Sequence, residues 1–219
     1  MKDLRPIKGR YYIQRLISEG EHERQDFKFA ISDARKIARS ISAFANCRGG
    51  RLLIGVKDNG AIAGVRNDED LYVIDEAAQL RCVPPQPIEF KAYRTGPGVV
   101  VYVAEIAPAI RRPVYVDEGG ETGLTAYLRV ADENIVAHPL QVRAWENSDR
   151  EDLAPLNTPL SSSILQLVDS AAISPDRLAY KLHVTREAAD ATAARLLAAG
   201  LLTMLHTKHG FVLTASIKE

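Results

Sequence analysis

The segment that most constrains the fold is residues 51–56, RLLIGV, set between Gly49-Gly50 and Asp58-Asn59-Gly60. A nearly continuous apolar run bounded by turn residues predicts a strand buried on both faces, because a one-sided strand would alternate apolar with polar residues. Upstream, Ala34, Ile37, Ala38, Ile41, Phe44 and Ala45 recur at helical spacing as far as Asn46. Ser32 and Asp33 are N-cap residues for that helix, and Gly49-Gly50 ends it. Asp58-Asn59-Gly60 supplies the φ > 0 residues of a tight hairpin turn, with residues 61–65 returning.

The flanking chain fits around this unit. Residues 11–18 (YYIQRLIS) form a short amphipathic helix with Tyr12, Ile13, Leu16 and Ile17 near one face, stopped at Gly20. In residues 26–31, Phe27, Phe29 and Ile31 alternate with Asp26, Lys28 and Ala30, so the aromatic face enters a core and Asp26 and Lys28 share the other face. Asn67 or Asp68 caps a helix that runs to about Leu80, and Pro84-Pro85 prevents its continuation. Residues 88–93 and 99–106 predict a second hairpin across Thr95-Gly96-Pro97-Gly98. Two short strands follow at 113–116 and 126–130, separated by an acidic, glycine-rich loop, and residues 138–145 form a closing helix. The expectation is an α+β domain over residues 1–150, a mixed sheet with flanking helices.

Residues 147–159 carry charges, two prolines and few apolar side chains, which marks a linker. A second domain is expected over residues 158–219. It has helices at 161–170, from Ser174-Pro175 onward and from Thr185 to Gly200, then a hairpin around residues 206–209. Three short helices and a β-hairpin make the winged form of the helix-turn-helix.

The whole-chain numbers narrow the function classes. Lysine plus arginine balance aspartate plus glutamate at 28 each over 219 residues, so no bulk field favours a polyanion. The two cysteines, Cys47 and Cys82, are far apart, which argues against a disulfide framework or a thiolate zinc site. The N-terminus lacks the apolar stretch of a signal peptide, and no run nears the ~20 apolar residues needed to span a bilayer. The cytoplasm is the expected compartment.

The blocks Gly20-Glu21 with Asp26-Phe27-Lys28, residues 41–46 (ISAFAN), Gly49-Gly50, residues 53–56 (LIGV) and Asp58-Asn59-Gly60 resemble the Schlafen AlbA-type domain. So do residues 112–115 (RPVY) and 126–130 (AYLRV), and the resemblance covers roughly residues 10–145. It implies a nucleic-acid role: bacterial members are described as DNA-binding or transcription-regulator proteins, often with a winged helix after the domain. Animal members with the related domain include metal-dependent RNA endonucleases that use a carboxylate trio, and some members carry a label of ATP binding.

The matching positions for that trio are Glu21, Asp26 and Asp58, candidate catalytic residues and ligands for Mg²⁺ or Mn²⁺, since phosphodiester hydrolysis needs hard oxygen ligands. Asp26 stands where the family pattern has a longer glutamate. The alternative reading makes Asp26 and Lys28 a solvated strand face and Asp58 a turn former. The candidate nucleic-acid contacts are Lys28, Arg48, Arg51, Lys57 and Arg129, with Tyr127 offering a ring for stacking. The structural alternative is that the glycines serve close packing, with the arginines at a rim. These residues meet in one cleft if the strand after Gln25, the Gly-Gly reversal and the Asp58 hairpin lie side by side. ATP binding is not expected, because no G-x-x-x-x-G-K-[ST] sequence occurs.

In the second domain Arg186 and Arg195 are the candidate phosphate contacts, opposed by Glu187 and Asp190. An alanine-rich face (Ala188, Ala189, Ala191, Ala193, Ala194, Ala198 and Ala199) suits packing against another helix. His206 and His209 lie in the hairpin loop without a third ligand in sequence. The leading expectation is a non-enzymatic DNA- or RNA-binding protein, a bacterial transcriptional regulator acting as a homodimer, with no cofactor and no membrane partner. The alternatives are a metal-dependent endoribonuclease using Mg²⁺ or Mn²⁺, and a protein-interaction module.

Overall fold

The computed structural model describes residues 4–65, 69–148 and 156–216. The chain divides into two compact units, Met1–Val136 and Ala137–Glu219.

In the first unit the elements run β1 (Ile7–Lys8), α1 (Arg10–Ser18), β2 (Gln25–Lys28), α2 (Ala34–Asn46), β3 (Gly50–Ile54) and α3 (Glu69–Glu76). A π-helical turn, Ala77–Arg81, leads to β4 (Cys82–Val83), β5 (Ile88–Gly96), β6 (Val99–Ile106), β7 (Tyr115–Asp117), β8 (Leu124–Val130) and β9 (Glu133–Val136). A five-stranded mixed sheet has the order β1-β5-β6-β3-β2, and a four-stranded antiparallel sheet has the order β4-β7-β8-β9. The α+β architecture is therefore the one anticipated, with β1, β4 and β9 added to it. Those strands have only two to four residues, too short for a periodic pattern.

β2 and β3 run parallel, in the register Asp26 beside Leu52 and Lys28 beside Ile54. A parallel pair needs a crossover, and α2 supplies it. The Asp33 carboxylate caps α2, accepting from the Arg35 and Lys36 amides at 2.9 and 3.3 Å. The sheet is covered on both sides. On one face Phe27, Leu53, Tyr93, Val101 and Val103 pack with Ile13 and Leu16 of α1. On the other, Leu52, Ile54, Ala92, Tyr102 and Ala104 pack with Ile37, Ile41 and Phe44 of α2. Leu52, Leu53 and Ile54 are fully buried, which is why the strand reads as unbroken apolar sequence. Each such side chain stabilises the fold by about 1.5–3 kcal/mol.

The turn after β3 forms, with the Gly60 amide donating to the Lys57 carbonyl at 2.7 Å. The returning arm does not become a strand; Val56 and Ile62 make a single bridge. Gly55, at φ +93°, turns its carbonyl to accept from the Ala63 and Gly64 amides, both at 2.9 Å, which folds the arm back. The proposed caps Asn67 and Asp68 lie outside the described residues.

In the second unit α4 (Pro139–Ser148), α5 (Pro159–Ser170), α6 (Pro175–Leu182) and α7 (Arg186–Ala198) precede the antiparallel hairpin β10 (Leu202–Thr207) and β11 (Gly210–Ala215). Three helices and a hairpin occur in the expected order. The helix expected to close the first domain, α4, belongs here instead: Leu140 and Ala144 join Ile164, Leu178, Ala193 and Leu196 in one core. Much of the anticipated linker, residues 149–155, lies outside the described residues. Thr158 and Thr185 cap α5 and α7 through their hydroxyls, whereas Ser174 makes no such bond and Pro175 alone marks the start of α6. No helix among the described residues is long and apolar enough to cross a membrane.

Candidate nucleic-acid interface

The strands β2 and β3 do lie side by side, but alternation separates the polar residues expected to meet between them. Gln25 is registered beside Arg51, whereas Lys28 is registered beside Ile54. Odd steps along a strand change face. Lys28 and Arg51 therefore sit on opposite faces of the sheet, and the single cleft expected from sequence is two separate places.

On the α2 face, Asp26 is 5% exposed rather than solvated. Its carboxylate meets the Lys28 ammonium at 2.7 Å and the Arg129 guanidinium at 3.5 Å. Arg129 is itself buried, donates to Asn134 Oδ1 at 2.9 Å and lies 5.1 Å from the centre of the Phe44 ring. Lys28 also donates to the Phe27 carbonyl at 2.9 Å. The Arg129–Asp26 pair is buried and holds structure, and Lys28, half-buried, is paired to the same carboxylate.

Glu21 sits beside Asp26, with Glu21 Oε1 accepting from the Phe27 amide at 2.8 Å. Burial, then the neighbouring Asp26 carboxyl, hold its pKa above the usual carboxylate value. Asp58 is elsewhere, exposed in the turn after β3. Among the described residues no group of three or more histidine, cysteine, aspartate and glutamate side chains is placed to hold a metal ion. Glu21, Asp26 and Asp58 thus do not fit Mg²⁺ or Mn²⁺ as a trio: the cations of Lys28 and Arg129 already neutralise Asp26, and Asp58 does not join the pair.

Tyr127 does not stand open for stacking either. It is 7% exposed, its hydroxyl donates to Glu118 Oε1 at 2.6 Å, and burial with that carboxylate pushes its pKa up to about 12. The ring is walled in and presents no face for a base. Glu118 takes a two-pronged contact from Arg39, Nε at 2.8 Å and Nη2 at 2.7 Å, which holds its carboxyl below the usual range. Sequence reasoning missed this Arg39–Glu118–Tyr127 set, because Arg39 lies in a helix far along the chain from the loop and strand that carry Glu118 and Tyr127.

The Gly-Gly block is structural at its core. A Cβ on Gly50 would run into the Phe44 ring, and one on Gly49, at φ +71°, would fall 2.7 Å from the Ile106 carbonyl. Asn46 reaches from the end of α2 to both sides of Val114 and to the Tyr127 carbonyl. These residues fix β7 and β8 against α2.

What remains exposed lies on the α1 face. A cleft of about 850 Å³ opens beside the reversal, lined by Arg24, Arg48, Gly49, Gly50 and Arg51 among others. Arg51 is held by Gln25 Oε1 at 2.7 Å and Glu19 at 2.8 Å. Arg48 and Arg24 are exposed and in no ion pair among the described residues. Glu89 and Glu105 bring negative charge to the same wall, the first paired with Lys91 at 3.1 Å. Arg24 escaped sequence reasoning because only the register of β2 beside β3 brings it to the cleft. Lys57, exposed, lies 5.2 Å from the centre of the Phe29 ring.

In the second unit Arg186 is engaged by Asp176 at 2.8 Å and Asp190 at 2.9 Å. Arg195 is half-buried near the end of α7. The alanine face is spent in part: Ala189, Ala193 and Ala194 are fully buried, α4 of the same chain packs on α7, and Ala199 stays exposed. His206 packs edge-on against Phe211 at 4.9 Å, while His209 lies in the exposed turn.

A two-sheet α+β unit whose helix–Asn–Gly-Gly–strand block locks the sheets together is the architecture that the comparisons bear on. The family model described as Schlafen, AlbA_2 matches residues 21–138, more than half of the chain, and the chain belongs to this family. No curated protein matches the chain. The crystal structure of the DIP2311 protein from Corynebacterium diphtheriae is similar over 87% of this chain and 34% of that one, at 18% identity and a TM-score of 0.44. The chain thus spans about a third of the length of that protein.

Proposed function

We propose that this chain is a nucleic-acid-binding protein whose Schlafen AlbA-type unit receives phosphate in the cleft beside Gly49-Gly50. The observation that carries the reading is the pair Arg24 and Arg48, exposed at that cleft with no ion-pair partner among the described residues. Most of the cations singled out by sequence other than Arg48 are already paired: Lys28 and Arg129 to Asp26, Arg51 to Glu19, Arg186 to Asp176 and Asp190. Membership in a family whose bacterial members are described as DNA-binding supports the same reading. Transcriptional regulation is its finer form. In that form the C-terminal unit acts as a winged helix, an order its helices and hairpin support.

With two uncommitted arginines at this cleft, affinity there rests on a handful of phosphate contacts and weakens with salt in proportion to their number. The test is a fluorescence-anisotropy titration at low salt with labelled single-stranded DNA, duplex DNA and structured RNA. Saturable binding to one or more, weakening as salt rises, is expected. Absence of binding to all three at low salt overturns the reading.

A further inference from the structure

A second place in the first unit carries the chemistry of nucleic-acid recognition more openly than the cleft does. β1 is an edge strand running parallel to β5, and its register sets Lys8 directly beside Arg94. Neighbouring strands lie about 4.8 Å apart, and like charges placed side by side on a sheet repel each other. Neither Lys8 nor Arg94 has an ion-pair partner among the described residues, and Arg10, two residues on, has none there either. All three are exposed. They line one groove of about 660 Å³ at the sheet edge, together with Tyr11, Tyr12 and Pro97, and no acidic residue among the described ones lines it.

Tyr11 gives the groove its second property. It is 87% exposed, in contrast to Tyr12, whose ring packs 5.0 Å from Tyr93. The first turn of α1 therefore packs Tyr12 against Tyr93 and leaves Tyr11 open to solvent in the groove that Lys8, Arg10 and Arg94 also line. A repulsive cation pair costs stability that an anion would return, and an open aromatic ring beside it suits a flat, unpaired base.

We propose that this groove binds single-stranded nucleic acid, with Lys8, Arg10 and Arg94 on the phosphates and Tyr11 stacked on a base. Every base has a π-face, so such a platform tolerates sequence, whereas a duplex keeps its bases stacked on each other and has none to offer. The proposal rests on the nucleic-acid reading above and narrows it to a substrate class.

The test uses the full chain with labelled oligo-dT, oligo-U and a duplex of matched length. Tyr11→Ala is expected to weaken binding of the single strands about tenfold, as base–aromatic stacking implies, and to leave duplex affinity unchanged. Tyr11→Phe is expected to bind within about twofold of the wild type. Lys8→Gln is expected to weaken the single strands and to flatten their salt dependence by about one ion, with a melting temperature no lower than the wild type. Comparison of oligo-dT with oligo-U tells DNA from RNA. Wild-type protein that binds no nucleic acid overturns both this proposal and the reading beneath it. Wild-type protein that binds, with Tyr11→Ala equal to it on single strands, overturns this proposal alone. So does an equal loss on single strands and duplex.

Discussion

The side chain of Asn46 closes both backbone hydrogen bonds of Val114: the Val114 amide donates to Oδ1 at 2.7 Å, and its carbonyl accepts from Nδ2 at 2.9 Å. One amide thus imitates a neighbouring strand, and it joins the last turn of α2 to the segment entering β7. Nδ2 also reaches the Tyr127 carbonyl at 3.0 Å, so β8 is held by the same group. The site is 1% exposed, and water cannot replace what is lost. Asn46→Ala is expected to destabilise the protein by about 3 kcal/mol, because it leaves the buried Val114 amide without its acceptor and removes two buried carbonyl contacts, the Val114 carbonyl keeping its bond from Ser42 Oγ. Asn46→Asp is expected to be comparably damaging, since it keeps the acceptor and loses the bonds that Nδ2 donates to the Val114 and Tyr127 carbonyls and to Ser42 Oγ. Urea unfolding of the variants measures this.

The two glycines that follow differ in what they forbid. Gly50→Ala puts a methyl group into the Phe44 ring, and Phe44 is fully buried and has nowhere to move. Overpacking of this kind costs about 1–3 kcal/mol. Gly49→Ala adds backbone strain at φ +71° to a carbonyl contact, and is expected to be the worse of the two by thermal unfolding.

Much of this was legible in residues 34–60. The period of α2, the Gly-Gly stop and the unbroken apolar strand are local signals, and each has a local cause. The site was less legible, because the face on which a side chain falls depends on register. Asp26 and Lys28 do share a face, as alternation requires, but that face turns toward β8, where the buried Arg129 waits. Nothing within residues 25–28 announces a partner one hundred positions away. The same holds for Glu118, which looked like one acid in a loop and is the anchor for Arg39 and Tyr127.

Two carboxylates should respond to pH in opposite senses. Arg39 and Tyr127 hold the Glu118 pKa below its ordinary value. Its stabilisation is therefore complete at neutral pH and disappears as pH falls through the acid range. Glu118→Gln is expected to cost about 2 kcal/mol at pH 7, with little further cost in acid. Glu21 is raised, by burial and by Asp26, so its charged form opposes folding once pH exceeds the usual carboxylate value. Glu21→Gln keeps an acceptor for the Phe27 amide and is expected to raise the melting temperature at pH 7, a gain that vanishes in acid. Melting temperatures from pH 3 to 8 read both.

Asp58 is exposed in its turn and joins no carboxylate cluster. Asp58→Asn is expected to change stability by less than about 0.5 kcal/mol and to leave nucleic-acid affinity unaltered, with or without added Mg²⁺ or Mn²⁺. A metal-dependent effect of this substitution on cleavage or binding would restore the carboxylate trio that the geometry does not assemble.

The central claim is that Arg24 and Arg48, left uncommitted at the Gly49-Gly50 cleft, meet the phosphates. The direct measurement is the salt dependence of nucleic-acid affinity for the wild type and for the Arg24→Ala/Arg48→Ala double variant. The account predicts weaker binding and a log–log slope shallower by about two in the double variant, as expected for two lost phosphate contacts, with an unchanged melting temperature. Affinity and slope equal to the wild type in a folded double variant would contradict it.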